Sequence, residues 1–228
     1  MSTYKIDVLD AGFVRLVDRM GSDLSIVRAA RVSYNADWRS GDAVDKDEKL
    51  IHYLIKNKHT SPFESVVFTF EICCPIFVAR QWHRHRTWSY NEVSARYSEL
   101  PNMMYVPEVN KITTQSASNK QMRTEEVHKS AVEIRSMIKH CNEEAYKVYA
   151  ELIELGTPRE LARSVLPLAI YTRFFGTVSL HNLFHFLHLR LHQHAQYEIR
   201  VYAEAILDLI KAEVPISVRA WKECNGIS

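Results

Sequence analysis

Apolar and polar positions change their period several times along the chain, and each change marks an element. Lys5 to Leu9 reads as a short strand turning at Ala11-Gly12. Asp23 looks like the N-cap of a helix carrying Ile26, Val27, Ala30 and Val32 broadly on one side. After a polar loop, Asn35 to Val44, Asp45 with Glu48 forms a capping-box-like start to a helix burying Leu50, Ile51, Leu54 and Ile55. His59 to Glu64 breaks that helix at a Ser-Pro turn. Val66, Phe68, Phe70 and Ile72 then alternate with Val67, Thr69 and Glu71, the two-residue period of a strand with one face fully buried. Pro75 suits the first turn of the next helix, which Ile76, Phe77 and Ala79 pack down.

The second half is richer in helical periods. Ser98 to Gln121 is loop-like, either a flap over its neighbours or an inert surface loop. From about Met122 to Leu155, the positions Val127, Ala131, Ile134, Ile138, Cys141, Ala145, Val148, Leu152 and Leu155 step by four and three. That predicts one long helix whose seam needs a long partner. Thr157 caps a short helix with Pro158 in its first turn and Glu160 closing the box. Leu168 to Thr177 alternates as a strand ending at Gly176, and Ser179 to about Ala212 reads as a last long helix. Strands set between long helices imply an α+β fold, here a central, mostly antiparallel sheet packed with long helices. At 228 residues, the expectation is a single domain over 1–228.

Composition narrows the function classes. A net charge of +2 and a pI near 8.3 are too close to neutral for a dedicated nucleic-acid coat. Cys73, Cys74, Cys141 and Cys224 show neither zinc spacing nor a C-x-x-C pair. The N-terminus has no apolar signal core, and no run approaches the roughly 18 apolar residues of a membrane span. The expectation is a cytoplasmic, reduced protein.

The positive charge is local. Between Arg80 and Tyr97, four arginines and two histidines face a single carboxylate, Glu92. Guanidinium groups contact phosphates or imide edges in a planar, bidentate way that lysine does not copy. Asn91, Glu92 and Ser94 add groups able to read a polar ring, and Trp88, Tyr90 or Tyr97 could stack on it. The mixture suits a nucleotide. A solvated basic helix face is one alternative. An RNA- or nucleotide-binding module using the Arg/His/aromatic patch is another. The long seam also leaves a helical interaction scaffold open.

The spelling favours the first reading. Arg84-His85-Arg86, seven residues, then Ser94, with Asn91-Glu92 inside and Arg96-Tyr97 after, resembles the signature of the flavin-dependent thymidylate synthases. Arg159 to Arg163, Leu166-Pro167, Tyr171 to Phe175, Leu189-Arg190 and His194 to Ile199 are also similar to family sequence. The resemblance implies methylation of dUMP to dTMP, with methylenetetrahydrofolate as one-carbon donor and NADPH-reduced FAD as hydride donor. It implies dUMP contacts at Gln81, Trp82, His83, Arg84, Glu92, Val93, Ser94, Ala95, Arg96, Arg163 and Arg190, with Arg190 as the catalytic, nucleotide-activating group. For FAD it implies Ser61, Arg84, His85, Arg86, Glu92, Ser179, Leu180, His181 and His185. A homotetramer with active sites shared between subunits is implied too. None of the six glycines forms G-x-G-x-x-G, so cationic side chains must meet the flavin pyrophosphate.

His181, His185, His188 and His192 form one stripe on the last predicted helix. No acidic residue lies between Ser179 and Tyr197, so we read the stripe as a polar or flavin-facing face and expect no metal. On a straight helix Arg190 lies about 140° from His185. The two faces would then serve different sites, unless the helix kinks.

Overall fold

A computed structural model describes residues 5–227. In chain order it comprises β1 (Lys5–Val8), β2 (Gly12–Met20), α1 (Asp23–Val32), α2 (Val44–Lys56), β3 (Val67–Pro75), α3 (Ile76–Trp82), β4 (Ser89–Glu92), β5 (Thr113–Gln115) and β6 (Arg123–Val127). There follow α4 (Ala131–Glu154), α5 (Arg159–Ala162), β7 (Tyr171–Ser179), α6 (Leu180–Arg190), α7 (Tyr197–Ile210) and α8 (Pro215–Asn225). Five strands form one sheet in the order β1-β2-β3-β7-β4, with every neighbouring pair antiparallel. This is the expected α+β architecture. Phe68, Phe70 and Ile72 of β3, with Phe174 and Val178 of β7, are buried in one core with Leu183 and Leu187 of α6 and Tyr202 and Ile206 of α7.

Close backbone approaches shape the sheet at two glycines. A Cβ on Gly12 would lie 1.9 Å from the Tyr202 hydroxyl oxygen and 2.6 Å from the Cys73 carbonyl oxygen. Gly176 does not end its strand, which continues to Ser179. Its missing side chain makes room for Trp88, whose ring would be 3.0 Å from a Cβ there.

Several boundaries differ from the sequence reading. Strand β2 gave no usable signal because only its first half alternates, before a register shift between Leu16 and Asp18. Ser22, not Asp23, is the N-cap of α1. Asp23 instead accepts hydrogen bonds from Ile216 N at 2.9 Å and Ser217 N at 3.0 Å, closing the start of α8 from a distance of nearly the whole chain. Helix α8 itself was not foreseen. Ala43 and Pro158 occupy the N-cap positions of α2 and α5, so the expected caps at Asp45 and Thr157 do not form.

The stretch expected as a loop and then a helix from Met122 contains the β5–β6 hairpin, and α4 begins only at Ala131. Thr and Val at the hairpin positions favour strand pairing over the helical period there. The α4 seam is only partly covered by the described residues: Ile134, Ile138, Ala145 and Leu152 are half-buried, while Cys141, Val148 and Leu155 are exposed. Its buried residues beyond Ala131 are Asn142 and Tyr149, which bond the Tyr105 carbonyl and the Leu100 N–H. Met137 and Leu155 remain exposed. The last helix is broken: α6 stops at Arg190 and α7 starts at Tyr197.

Candidate functional site

The basic stretch follows directly from β3 and α3. Fully buried Trp82, at the end of α3, stacks on Phe186 at 4.9 Å between centroids and packs edge-on to Trp88, Phe174 and Tyr202. This anchor fixes where the chain turns from Arg84 into β4. The Tyr90 hydroxyl ties the turn shut, donating toward the Trp82 carbonyl at 3.1 Å and the His85 carbonyl at 3.0 Å.

His85 lies at the centre of the turn and is only 7% exposed. Arg190, the last residue of α6, donates from Nε to His85 Nε2 at 3.0 Å and from Nη2 to the Gln81 carbonyl at 3.1 Å. The His185 ring lies 6.0 Å from the His85 ring, edge-on. Burial, then the positive charge of Arg190, then His185 push the His85 pKa down to about 4. The imidazole is therefore neutral at pH 7, and its Nε2 is an acceptor. Burial and the nearby Arg84 charge also lower the Arg190 pKa from its ordinary value.

This contact answers the helical-wheel problem. The helix stays continuous from His185 to Arg190, and its break follows Arg190. The two faces need no separate sites to be reconciled, because His85 stands against both. His192 leaves the predicted stripe, since it lies in the turn after α6, where its Nδ1 accepts from His194 N.

The other expected site residues fall into two further places. Glu92, Val93, Ser94, Ala95 and Arg163 line a cavity of about 380 Å³ at the far end of β4. There Glu92 Oε1 accepts from the Thr172 hydroxyl at 2.5 Å, while Arg96 pairs with Glu160 at 3.3 Å. His181 and His185 line a second cavity of about 690 Å³ with Lys56, Lys58 and Thr60. Phe63, Phe184 and Trp221 give that cavity an aromatic wall, with Phe184 and Trp221 stacked at 5.0 Å and 4°. Exposed Ser61 adjoins it through Thr60.

Some expected contacts are not available to side chains. Trp82 and Leu180 are fully buried in the core, and the Leu180 N–H is spent on the Val66 carbonyl at 2.8 Å. Ser179 caps α6, its Oγ accepting from the Asn182 backbone N–H at 3.5 Å and from the Asn182 side chain at 3.2 Å. Trp88 is core, so among the three candidate stacking rings Tyr97 is the open one, Tyr90 being half-buried. Arg84 and Arg86 are exposed, and His83 packs edge-on to Tyr90 at 4.6 Å. The sequence reading missed Lys56, Lys58 and Trp221. The lysines carried a signal, as cations just before Ser61, but nothing local marks Trp221.

A family profile described as thymidylate synthase complementing protein matches residues 15–216. The chain belongs to the flavin-dependent thymidylate synthase family. It is 50% identical over 218 residues to the flavin-dependent thymidylate synthase of Thermus thermophilus, covering 96% of this chain and 78% of the relative. The Thermotoga neapolitana enzyme of the same name is 48% identical over 95% of this chain and 94% of its own. Among solved structures, the UMP/dUMP methylase PolB from Streptomyces cacaoi, bound with 5-Br dUMP, superposes with a TM-score of 0.86. It is 33% identical, over 96% of this chain and 97% of PolB. A second PolB structure, bound with 5-Br UMP, gives the same TM-score. Membership of this family favours the enzyme reading of the arginine-rich turn over the RNA-binding alternative.

Proposed function

We propose that this chain converts dUMP to dTMP, taking the one-carbon unit from methylenetetrahydrofolate and reducing electrons from NADPH through FAD. The observation that carries the reading is Arg190, a guanidinium held by the His85 imidazole and the Gln81 carbonyl beside the arginine-rich turn. C5 of uracil is a poor nucleophile, so electron density must be pushed toward it while negative charge builds on the ring imide. A fixed positive group beside that imide stabilises the charge as it develops. Arg190 is the catalytic residue in this scheme. Gln81, Arg84, Glu92, Ser94, Arg96 and Arg163 bind the nucleotide, and Trp82, His83, Val93 and Ala95 contribute through backbone or walls.

The residues present fit a flavin. The 690 Å³ cavity is lined by aromatic rings together with lysines and histidines, surfaces for a ring system and for a pyrophosphate. Ser61, Arg84, His85, Arg86, His181 and His185 are the side chains that would hold FAD, with Ser179 and Leu180 supporting the helix start. Bound there, FAD supplies the hydride. Burial pushes Cys73 up to about 11 and raises Cys74 as well, so neither buried thiol is a thiolate at neutral pH, while exposed Cys224 lines the flavin cavity and exposed Cys141 lies on α4.

The assembly we propose is a homotetramer with shared active sites. The exposed apolar positions of α4, among them Val132, Met137 and Val148, need covering. Within one chain β4 also separates Arg190 and Gln81 from the Glu92, Ser94 and Arg163 cavity, a strand of about 10 Å. The split sites of two chains would complement each other. Mixed oligomers of Arg190→Ala and Arg163→Ala chains should regain part of the activity that each lacks alone; no recovery in verified mixtures removes the shared site. We place this single-domain enzyme in the cytoplasm without a nucleic-acid partner. Among the described residues no helix is long and apolar enough to cross a membrane.

The decisive experiment is direct. The purified protein should show flavin absorption bands and, given dUMP, methylenetetrahydrofolate and NADPH, form dTMP. A colourless protein that takes up no FAD and binds RNA with steep salt dependence would reverse the reading.

A further inference from the structure

Behind Gln81 lies a chain of polar groups that none of the site residues above includes. Glu198, at the start of α7, is 3% exposed, so its carboxylate must be satisfied inside the protein. Its Oε1 accepts from Arg123 Nη2 at 3.0 Å and from the Tyr105 hydroxyl at 3.2 Å. Its Oε2 accepts from Gln196 Nε2 at 2.9 Å. Gln81 Nε2 in turn donates to Gln196 Oε1.

The order of donors in this relay is fixed from one end. A carboxylate paired with a guanidinium only accepts, so Gln196 must turn its amide nitrogen toward Glu198. That leaves the Gln196 oxygen facing Gln81, and Gln81 must answer with its own nitrogen. The Gln81 oxygen is then held on the remaining side of the amide. Gln81 is half-buried, and its backbone carbonyl accepts from Arg190, so the residue itself stands beside the nucleotide-activating guanidinium.

We propose that Glu198, acting through Gln196, is a positioning residue that locks the Gln81 amide with its oxygen toward the base and so selects a nucleotide whose ring carries an N–H at position 3. The inference rests on the dUMP reading of this site. An imide ring such as uracil offers a donor at N3, flanked by carbonyls that suit a guanidinium. Cytosine offers a bare nitrogen there. An amide free to turn over serves either ring, whereas a locked one leaves cytosine facing an acceptor with an acceptor. Sites built to hydrogen-bond a substrate group reject analogues lacking it far more strongly than apolar pockets do.

The test is the ratio of dUMP to dCMP affinity, measured by calorimetry on the FAD-loaded protein. The unsubstituted chain should prefer dUMP by at least about a hundredfold. Glu198→Gln replaces the pure acceptor with a group that can also donate, so both downstream amides are free to invert. Gln196→Met cuts the relay without touching the Arg123 pair, and keeps the test alive should Glu198→Gln fail to fold. Each should lower the preference at least tenfold, with dUMP weakened and dCMP unchanged or improved. Equal weakening of both ligands, or an unchanged ratio in a folded variant, overturns the relay and leaves the dUMP reading intact. An FAD-loaded protein that binds no dUMP overturns the reading beneath it.

Discussion

Arg190 and Arg163 are both arginines that sequence similarity points at the nucleotide, yet the fold holds them in opposite ways. Arg190 ends a helix, half-buried, with two of its nitrogens bonded to His85 and Gln81. Arg163 is exposed on a short 3₁₀ turn at the rim of its cavity. A charge already fixed before the reaction needs no reorganisation when negative charge develops, so it acts on the transition state. A charge on a mobile side chain loses rotamer freedom when it meets its ligand, so its yield is in binding. In the scheme we propose, this difference in restraint makes Arg190 the catalytic arginine and Arg163 a binding one.

The strongest way to break this comparison is Arg190→Ala. A unit charge about 4 Å from a developing anion contributes up to ~4 kcal/mol at an effective dielectric near 20. Losing half of that slows the chemical step about thirtyfold, so kcat should fall by at least this factor at saturating dUMP. Arg190→Lys should recover little, because the fork that spans His85 and Gln81 is gone. An unchanged kcat removes Arg190 from catalysis.

His85 sharpens the comparison through pH. Its pKa falls from 6.5 to about 4 on folding, so the unfolded chain binds the extra proton first. Stability from the neutral imidazole is complete above pH 6.5 and is lost as pH falls through about 4. Urea titrations at pH 7 and near pH 4 should differ by about 3 kcal/mol more for the unsubstituted chain than for His85→Asn. An equal acid loss in both places the sensitivity elsewhere.

At the other end of β4 the effects should be smaller and appear in KM. Arg163→Ala should raise the KM for dUMP about tenfold, the value of one charge-assisted hydrogen bond, and leave kcat nearly intact. Ser94→Ala should do the same more weakly. A fall in kcat without a change in KM would make these residues part of the chemistry. The smallest change is expected from replacing all four cysteines by Ser or Ala: turnover should stay within about an order of magnitude, as measured on folded protein. Collapse in one folded single variant would bring a thiol into the reaction.

Much of the site was legible because it is written in consecutive residues. Arg84-His85-Arg86 stand on one turn, and Glu92 to Arg96 run from the end of β4 into the next turn, so local spelling alone brought them to notice. The errors lie where distant partners decide. Asp23 caps α8 rather than its own helix, and the helical period before Ala131 yields to a β-hairpin pairing. Trp82 sits inside the basic stretch but is buried in the core.

The amino-acid sequence by itself determined the family, the α+β class, the buried strand Val66–Ile72 and the arginine-rich turn, since each depends on period or spacing within a few residues. Only the tertiary structure decided what those groups do to one another. Arg190 and His85 are 105 positions apart and Gln81 and Gln196 are 115, and nothing local encodes a 3.0 Å contact across such a span. The neutrality of His85, the grip on Arg190 and the orientation of the Gln81 amide arise from burial and from partners that folding brings together.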